Sequence, residues 1–114
     1  MLETVEIELS SVDLKIDSYA FQKCSNVTKV TILPKKSTFL TQYSIGQNAF
    51  AYCESLKEVN FDIRQEYDLA DIGDSAFRDC KSLTDFTIPN GLTHLPFCCF
   101  YKSGLVSIYI PKSV

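Results

Sequence analysis

Apolar and polar positions along the chain repeat one pattern four times: a small residue, Phe, two variable residues, Cys, then Leu or Val followed by alternating apolar positions. The copies are Ala20-Phe21-Gln22-Lys23-Cys24, Ala49-Phe50-Ala51-Tyr52-Cys53, Ala76-Phe77-Arg78-Asp79-Cys80 and Cys99-Phe100-Tyr101-Lys102-Ser103. A helical winding of about 100° per residue puts Ala76, Phe77, Cys80 and Leu83 on one face, with Arg78, Asp79, Lys81 and Ser82 on the other. This predicts a short amphipathic helical turn with a solvated outer face. After Leu83 the period shortens. Phe86-Thr87-Ile88 alternates as a strand with two side chains in and one out, and Pro89-Asn90-Gly91 reads as the turn that ends it.

The same grammar fits Val27, Val30, Ile32 and Pro34, then Leu56, Val59 and Phe61, and finally Leu105, Ile108, Ile110 and Pro111. Phe-to-Phe steps are 29, 27 and 23 residues. Such self-similarity marks an array whose units bury their apolar faces only against their neighbours. The bare unit is the shortest step, and the two longer steps carry insertions around 35–44 and 62–71. One domain over 1–114 follows, with a partial unit at 1–15 and repeats at about 16–44, 45–71, 72–94 and 95–114. Leu2, Val5 and Ile7 have strand spacing without a preceding Ala-Phe turn, and Pro111-Lys112-Ser113-Val114 opens a further unit. These half-units lead us to expect a piece of a longer array, with neighbouring repeats packed against it.

These residues resemble the BspA-like leucine-rich repeats, also called the Treponema pallidum type, whose pattern is close to Ile-Gly-x-x-Ala-Phe-x-x-Cys-x-x-Leu-x-x-Val-x-Ile-Pro. Ile45-Gly46 through Cys53, Leu56, Val59 and Phe61 follow it, as do Ile72-Gly73 through Cys80, Leu83, Phe86, Ile88 and Pro89. Ile16-Asp17 and Leu95-Pro96 replace Ile-Gly in the outer copies, and Ser103 stands near the last Cys position. The resemblance implies an α/β repeat solenoid, a right-handed coil with short parallel strands on its concave face and helical turns or irregular segments behind. It also implies a non-enzymatic protein-interaction or adhesion role on a cell surface or in a secreted protein. A structural spacer holding another domain and a glycan-binding module are the alternatives.

Composition narrows the picture. With 46% apolar and 22% charged residues the chain builds a core, which argues against disorder. Eleven basic against fourteen acidic residues give a net charge of -3, and the longest basic run is Lys35-Lys36. That balance disfavours nucleic acid and anionic membranes as partners. The acidic, alternating start is unlike a secretory leader, and no apolar stretch is long enough to span a bilayer.

Stacked strands lie about 4.8 Å apart, so equivalent outward residues form columns. One runs Glu6, Thr31, Asn60, Thr87 and Tyr109, and its neighbour runs Thr4, Lys29, Glu58, Asp85 and Ser107. Lys29, Thr31, Glu58, Asn60, Asp85, Thr87 and Tyr109 are therefore the candidate binding residues, for a protein or a glycan. Aromatic residues outside the core pattern are the second candidates: Phe39, Tyr43 and Tyr67 in the insertions, and Tyr19, Tyr52, Phe97 and Tyr101 near the turns. The insertion aromatics are expected to fold back over the core. Phe21, Phe50, Phe77 and Phe100 with Cys24, Cys53 and Cys80 make up the structural core.

Five cysteines cannot all pair internally. Cys24, Cys53 and Cys80 recur 29 and 27 residues apart, unlike the short-spaced ligand pairs of zinc sites. They are read as a ladder of buried thiols, since free Cys behaves as a small hydrophobe. The vicinal Cys98-Cys99 pair lacks a CxxC spacing. No metal or cofactor is expected. His94, the only histidine, is read as an outward strand residue with no nucleophile or orienting acid beside it, so an enzyme is not expected. Asp68, Asp71, Asp74 and Asp79 do not follow an EF-hand loop, which leaves a surface calcium site as the lesser reading. Asn26-Val27-Thr28 matches a glycosylation acceptor, with Asn26 read first as a turn residue.

Overall fold

A computed structural model describes residues 4–9, 15–34, 42–61, 68–89 and 91–114. The strands are β1 (Thr4–Leu9), β2 (Lys15–Ile16), β3 (Lys29–Pro34), β4 (Gln42–Ile45), β5 (Glu58–Phe61), β6 (Asp68–Ile72), β7 (Asp85–Thr87) and β8 (Ser107–Tyr109). They form three parallel sheets in the orders β1-β3-β5, β2-β4-β6 and β7-β8. Parallel pairing follows from the repeat, since each strand returns to the same place after one unit in the same direction. Register keeps equivalents together: Val5 opposes Val30, Val30 opposes Val59, and Phe86 opposes Ile108.

Part of each insertion is strand. Tyr43-Ser44-Ile45 alternates buried, half-buried, buried, and pairs through β4 with both β2 and β6. Tyr43 is buried and its ring lies 6.3 Å from that of Phe61, as expected for an insertion aromatic that folds back. Phe39 and Tyr67 lie outside the described residues.

The segment between the sheets is not helical, which corrects the helical turn expected from the spacing. Residues 17–24, 46–53, 73–80 and 96–103 form ribbons of tight turns in which N–H groups alternate in direction. In the second ribbon Ala49, Ala51 and Cys53 donate three residues back, to Gly46, Asn48 and Phe50. The intervening Asn48, Phe50 and Tyr52 N–H groups donate to the next unit, to Asp74, Ala76 and Arg78 at 3.1, 2.9 and 2.8 Å. A helix would leave its terminal N–H and C=O groups without partners in a buried stack, whereas this ribbon hands half of its donors to its neighbour. Every fourth residue is left-handed. Tyr19, Lys23, Asn48, Tyr52, Ser75, Asp79, Cys98 and Lys102 have φ between 54° and 63°, each costing a non-glycine residue roughly 1 kcal/mol or more. A four-residue period keeps the small residue, Phe and Cys on one side much as a 3.6-residue helix would.

The ribbons carry the core. Phe21, Phe50, Phe77 and Phe100 stack at centroid spacings of 5.4, 5.3 and 5.8 Å, with interplanar angles of 4°, 6° and 12°. Phe50 and Phe77 are fully buried, while Phe21 and Phe100 are half-buried at the ends of the row. Phe86 meets both Phe77 and Phe100 at 5.0 Å, joining the ribbon row to the sheet. Asp79 departs from the expected solvated face: it is buried, and its carboxylate accepts a bond from Arg78 Nε at 3.2 Å.

Glycine is required where neighbouring units touch backbone to backbone. Gly46 donates to the Ile16 carbonyl and Gly73 to that of Ile45. A Cβ on Gly46 would lie 2.5 Å from Ser18 N, and one on Gly73 would fall inside the backbone of Gln47. Pro96 occupies the equivalent place in the last unit, where it has no N–H to offer and the close approach has no purpose. Gly73→Ala is expected to destabilise by about 1–3 kcal/mol, as overpacking against backbone does, lowering Tm by roughly 5–15 °C. Thermal unfolding followed by circular dichroism checks this, and an unchanged Tm would mean that the units are free to separate there.

Candidate interaction surface

Alternation along the strands fixes which side chains face out. Val5, Val30, Ile32, Phe86 and Ile88 are buried, while Glu6, Asp85 and Thr87 between them are exposed and Thr31 is half-buried. The parallel register aligns Thr4, Lys29 and Glu58 in one row, and Glu6, Thr31 and Asn60 in the next. Asp85 aligns with Ser107, and Thr87 with Tyr109. Tyr109 is 62% exposed. Lys29 Nζ reaches Glu58 Oε2 at 4.0 Å, with both side chains about half exposed, so the pair contributes little to stability. Thr84 Oγ1 donates to the Asp85 carboxylate at 3.2 Å.

The rows are not continuous. β5 and β7 belong to different sheets, so Glu58 and Asn60 are not paired with Asp85 and Thr87. A space of about 360 Å³ opens between the two strands. The ribbons of the same two units remain fully bonded, so the separation is confined to the sheet side. The repeat pattern makes these two strands equivalent and hides the break. The available signal was charge, because Glu58 and Asp85 hold the same repeat position, and like charges directly opposite each other disfavour pairing.

A second surface runs along the ribbons. The Arg78 guanidinium lies 5.7 Å from the Tyr52 ring centroid and 5.1 Å from that of Tyr101, and Lys102 Nζ stands 5.5 Å from Tyr101. Tyr101 is 47% exposed and Phe97 78%. The two Arg78 contacts join neighbouring ribbons by cation–π attraction, while that of Lys102 stays within one ribbon. Sequence spacing marked the tyrosines but not the arginine between them.

All five cysteines are free thiols. Cys53 Sγ donates to the Phe21 carbonyl and Cys80 Sγ to the Phe50 carbonyl, each at 3.2 Å, so the thiol serves both as a small apolar filler and as a donor across units. Burial pushes the Cys53 thiol up to about 11 and Cys99 up to about 12, and drives Cys80 upward as well. Such thiols are poor nucleophiles, because the reactive thiolate is what the site disfavours. Cys24, in the end unit, is half-buried.

His94 is exposed and lies outside the strands, correcting the outward strand position expected for it. Its Nδ1 is 3.3 Å from Thr93 Oγ1. Asp71 and Asp74 are exposed, and among the described residues no group of three or more His, Cys, Asp or Glu is placed to hold a metal ion. Asn26 is exposed on a turn, beside buried Val27. Among the described residues no helix is long and apolar enough to cross a membrane.

Short parallel strands recurring once per unit, with ribbons locked on an Ala-Phe-x-x-Cys row, define a leucine-rich-repeat protein. The family model for the BspA type leucine rich repeat region matches residues 2–114 in six copies. The chain belongs to that family. No curated protein and no solved structure matches it.

Proposed function

We propose that the chain is a non-enzymatic protein-interaction module, a leucine-rich solenoid whose outward sheet face is the contact surface. The observation that carries this reading is the set of register-fixed rows on that face, where Glu58, Asp85, Thr87 and Tyr109 are exposed above a buried apolar layer. A rigid parallel scaffold holds these side chains at fixed spacing, which lowers the entropy cost of meeting a protein surface. An adhesive role in a surface or secreted protein fits the family. Neighbouring repeats are proposed to pack on the last unit, where Val106 is 86% and Ile110 51% exposed.

Glycan binding is the second reading, favoured by Tyr101 and Phe97 on the ribbon side. The two readings place the contact on opposite faces. A photo-crosslinking residue at position 87, with a matched one at position 22, identifies what each face touches. The partner captured at position 87 is then purified and its affinity measured. Asn60→Ala combined with Tyr109→Ala is expected to weaken that affinity about tenfold or more, as loss of an exposed aromatic anchor does. Equal affinity for the double variant would refute the sheet-face assignment, and would favour the glycan reading or a spacer role.

A further inference from the structure

We propose that the break between β5 and β7 is a slot for a cationic side chain, an arginine or lysine carried by a protein partner. This rests on the outward sheet face being the contact surface. The break is local. On the ribbon side the same two units are joined by Asn48 to Asp74, Phe50 to Ala76 and Tyr52 to Arg78 hydrogen bonds of 2.8–3.1 Å. On the sheet side β3 pairs with β5 and β7 pairs with β8, but β5 and β7 do not pair.

Charge accounts for the position of the break. Along the row, Lys29 opposes Glu58 and Asp85 opposes Ser107. Only between Glu58 and Asp85 would two carboxylates stand opposite each other. Direct like-charge opposition disfavours pairing, and a cation between the carboxylates turns that repulsion into attraction. Lys29 already does this for Glu58 on its other side, at 4.0 Å.

The space is large enough for the proposed occupant. It is about 360 Å³ and is lined by Glu58 and Asp85 together with Val59 and Phe86, the inward residues of the same strands. A lining that combines apolar and acidic residues suits a side chain with an aliphatic stem and a charged head, and a guanidinium offers paired donors to carboxylates. Lys57 also lines the space but makes no ion pair among the described residues, and within the chain Glu58 is met by Lys29 on its far side while Asp85 pairs with no cation among the described residues. Among the described residues Asp85 accepts from the neutral Thr84 hydroxyl.

The test is a titration of the isotope-labelled chain with acetyl-Gly-Arg-Gly-amide, followed by amide chemical shifts. Parallel arms use the citrulline counterpart, which keeps the shape without the charge, and calcium chloride. Saturable shifts confined to residues 57–60 and 85–87 are expected with the arginine peptide and not with citrulline. Asp85→Asn and Glu58→Gln should each weaken binding about tenfold, the loss of one charge-assisted contact. Both variants should melt no lower than the parent, because each removes the like-charge opposition. Absent or scattered shifts, equal binding of citrulline, or variants that bind as the parent does would overturn the slot. So would calcium producing the same shifts at lower concentration. If a captured partner loses affinity with the Asn60 and Tyr109 pair but not with Asp85→Asn, the slot fails while the sheet-face reading stands.

Discussion

Phe77→Ala is expected to lower stability by about 3–5 kcal/mol, the range for removing a buried aromatic ring, which is a large share of the roughly 5–15 kcal/mol that holds a domain folded. Phe77 is fully buried, stacks on Phe50 at 5.3 Å and Phe100 at 5.8 Å, and touches Phe86 at 5.0 Å. It thus joins three units and both the ribbon row and the sheet. Phe21 stacks on one face only, against Phe50, and is half-buried. Phe21→Ala should therefore cost less than half as much. Urea unfolding of the two variants measures the difference, and equal losses would mean that the row does not share its packing between units. If Phe77→Ala does not fold, Phe77→Leu gives the same ordering with a smaller loss, since it keeps most of the apolar volume.

Raising the pH is the second large perturbation. Cys53 is held at about 11 and Cys99 at about 12, against an ordinary thiol value of 9.0, and Cys80 is raised further, in each case chiefly by burial. A folded state that holds these thiols neutral keeps their full contribution below the unfolded value and loses it as pH rises through the folded values. Above pH 9 each thiol removes up to about 1.4 kcal/mol of stability per pH unit. Cooperative alkaline unfolding is therefore expected between pH 9 and about 11, with Cys80→Ala shallower in its pH dependence than the parent. Pulse alkylation with iodoacetamide, mapped by mass spectrometry, should show Cys53, Cys80 and Cys99 becoming reactive together with loss of the circular dichroism signal. Alkylation of Cys80 well before that loss would show that the thiol is not sealed by the stack.

Inside and outside were legible from the sequence in the central units, because they depend on residue type at a fixed period. They were not legible at Asp79, which is buried, nor at Ala20 and Ile110 in the outer units, which are exposed. Ala49, Phe50, Cys53 and Leu56 are all buried as the repeat required. The conformation that puts them there was not legible. Apolar spacings of one, three and three residues suit a helical turn and a four-residue turn ribbon equally, and the left-handed positions are mostly held by residues such as Tyr19, Lys23 and Tyr52 that carry no signal for it. Only Asn48 and Asp79 are of types enriched there. β4 and β6 were hidden inside the insertions because the Ala-Phe pattern says nothing about them, although Tyr43-Ser44-Ile45 alternates as a strand does. At the outward face, the members of each row were readable from spacing alone. The break between β5 and β7 was not, because repetition makes every boundary look alike and only the charges of Glu58 and Asp85 single this one out.

The alternating ribbon donors carry a consequence for how the chain responds to being shortened. A helix or hairpin is closed upon itself, but a ribbon whose Asn48, Phe50 and Tyr52 donors end on Asp74, Ala76 and Arg78 is half a structure until the next unit arrives. Its left-handed residues make the isolated unit intrinsically unfavourable, and the favourable energy lies in the boundary between units. In a one-dimensional chain of coupled elements, that combination gives a long correlation length. Neighbouring units are therefore kept or lost together, so a protease that removes the last ribbon also unseats its neighbour.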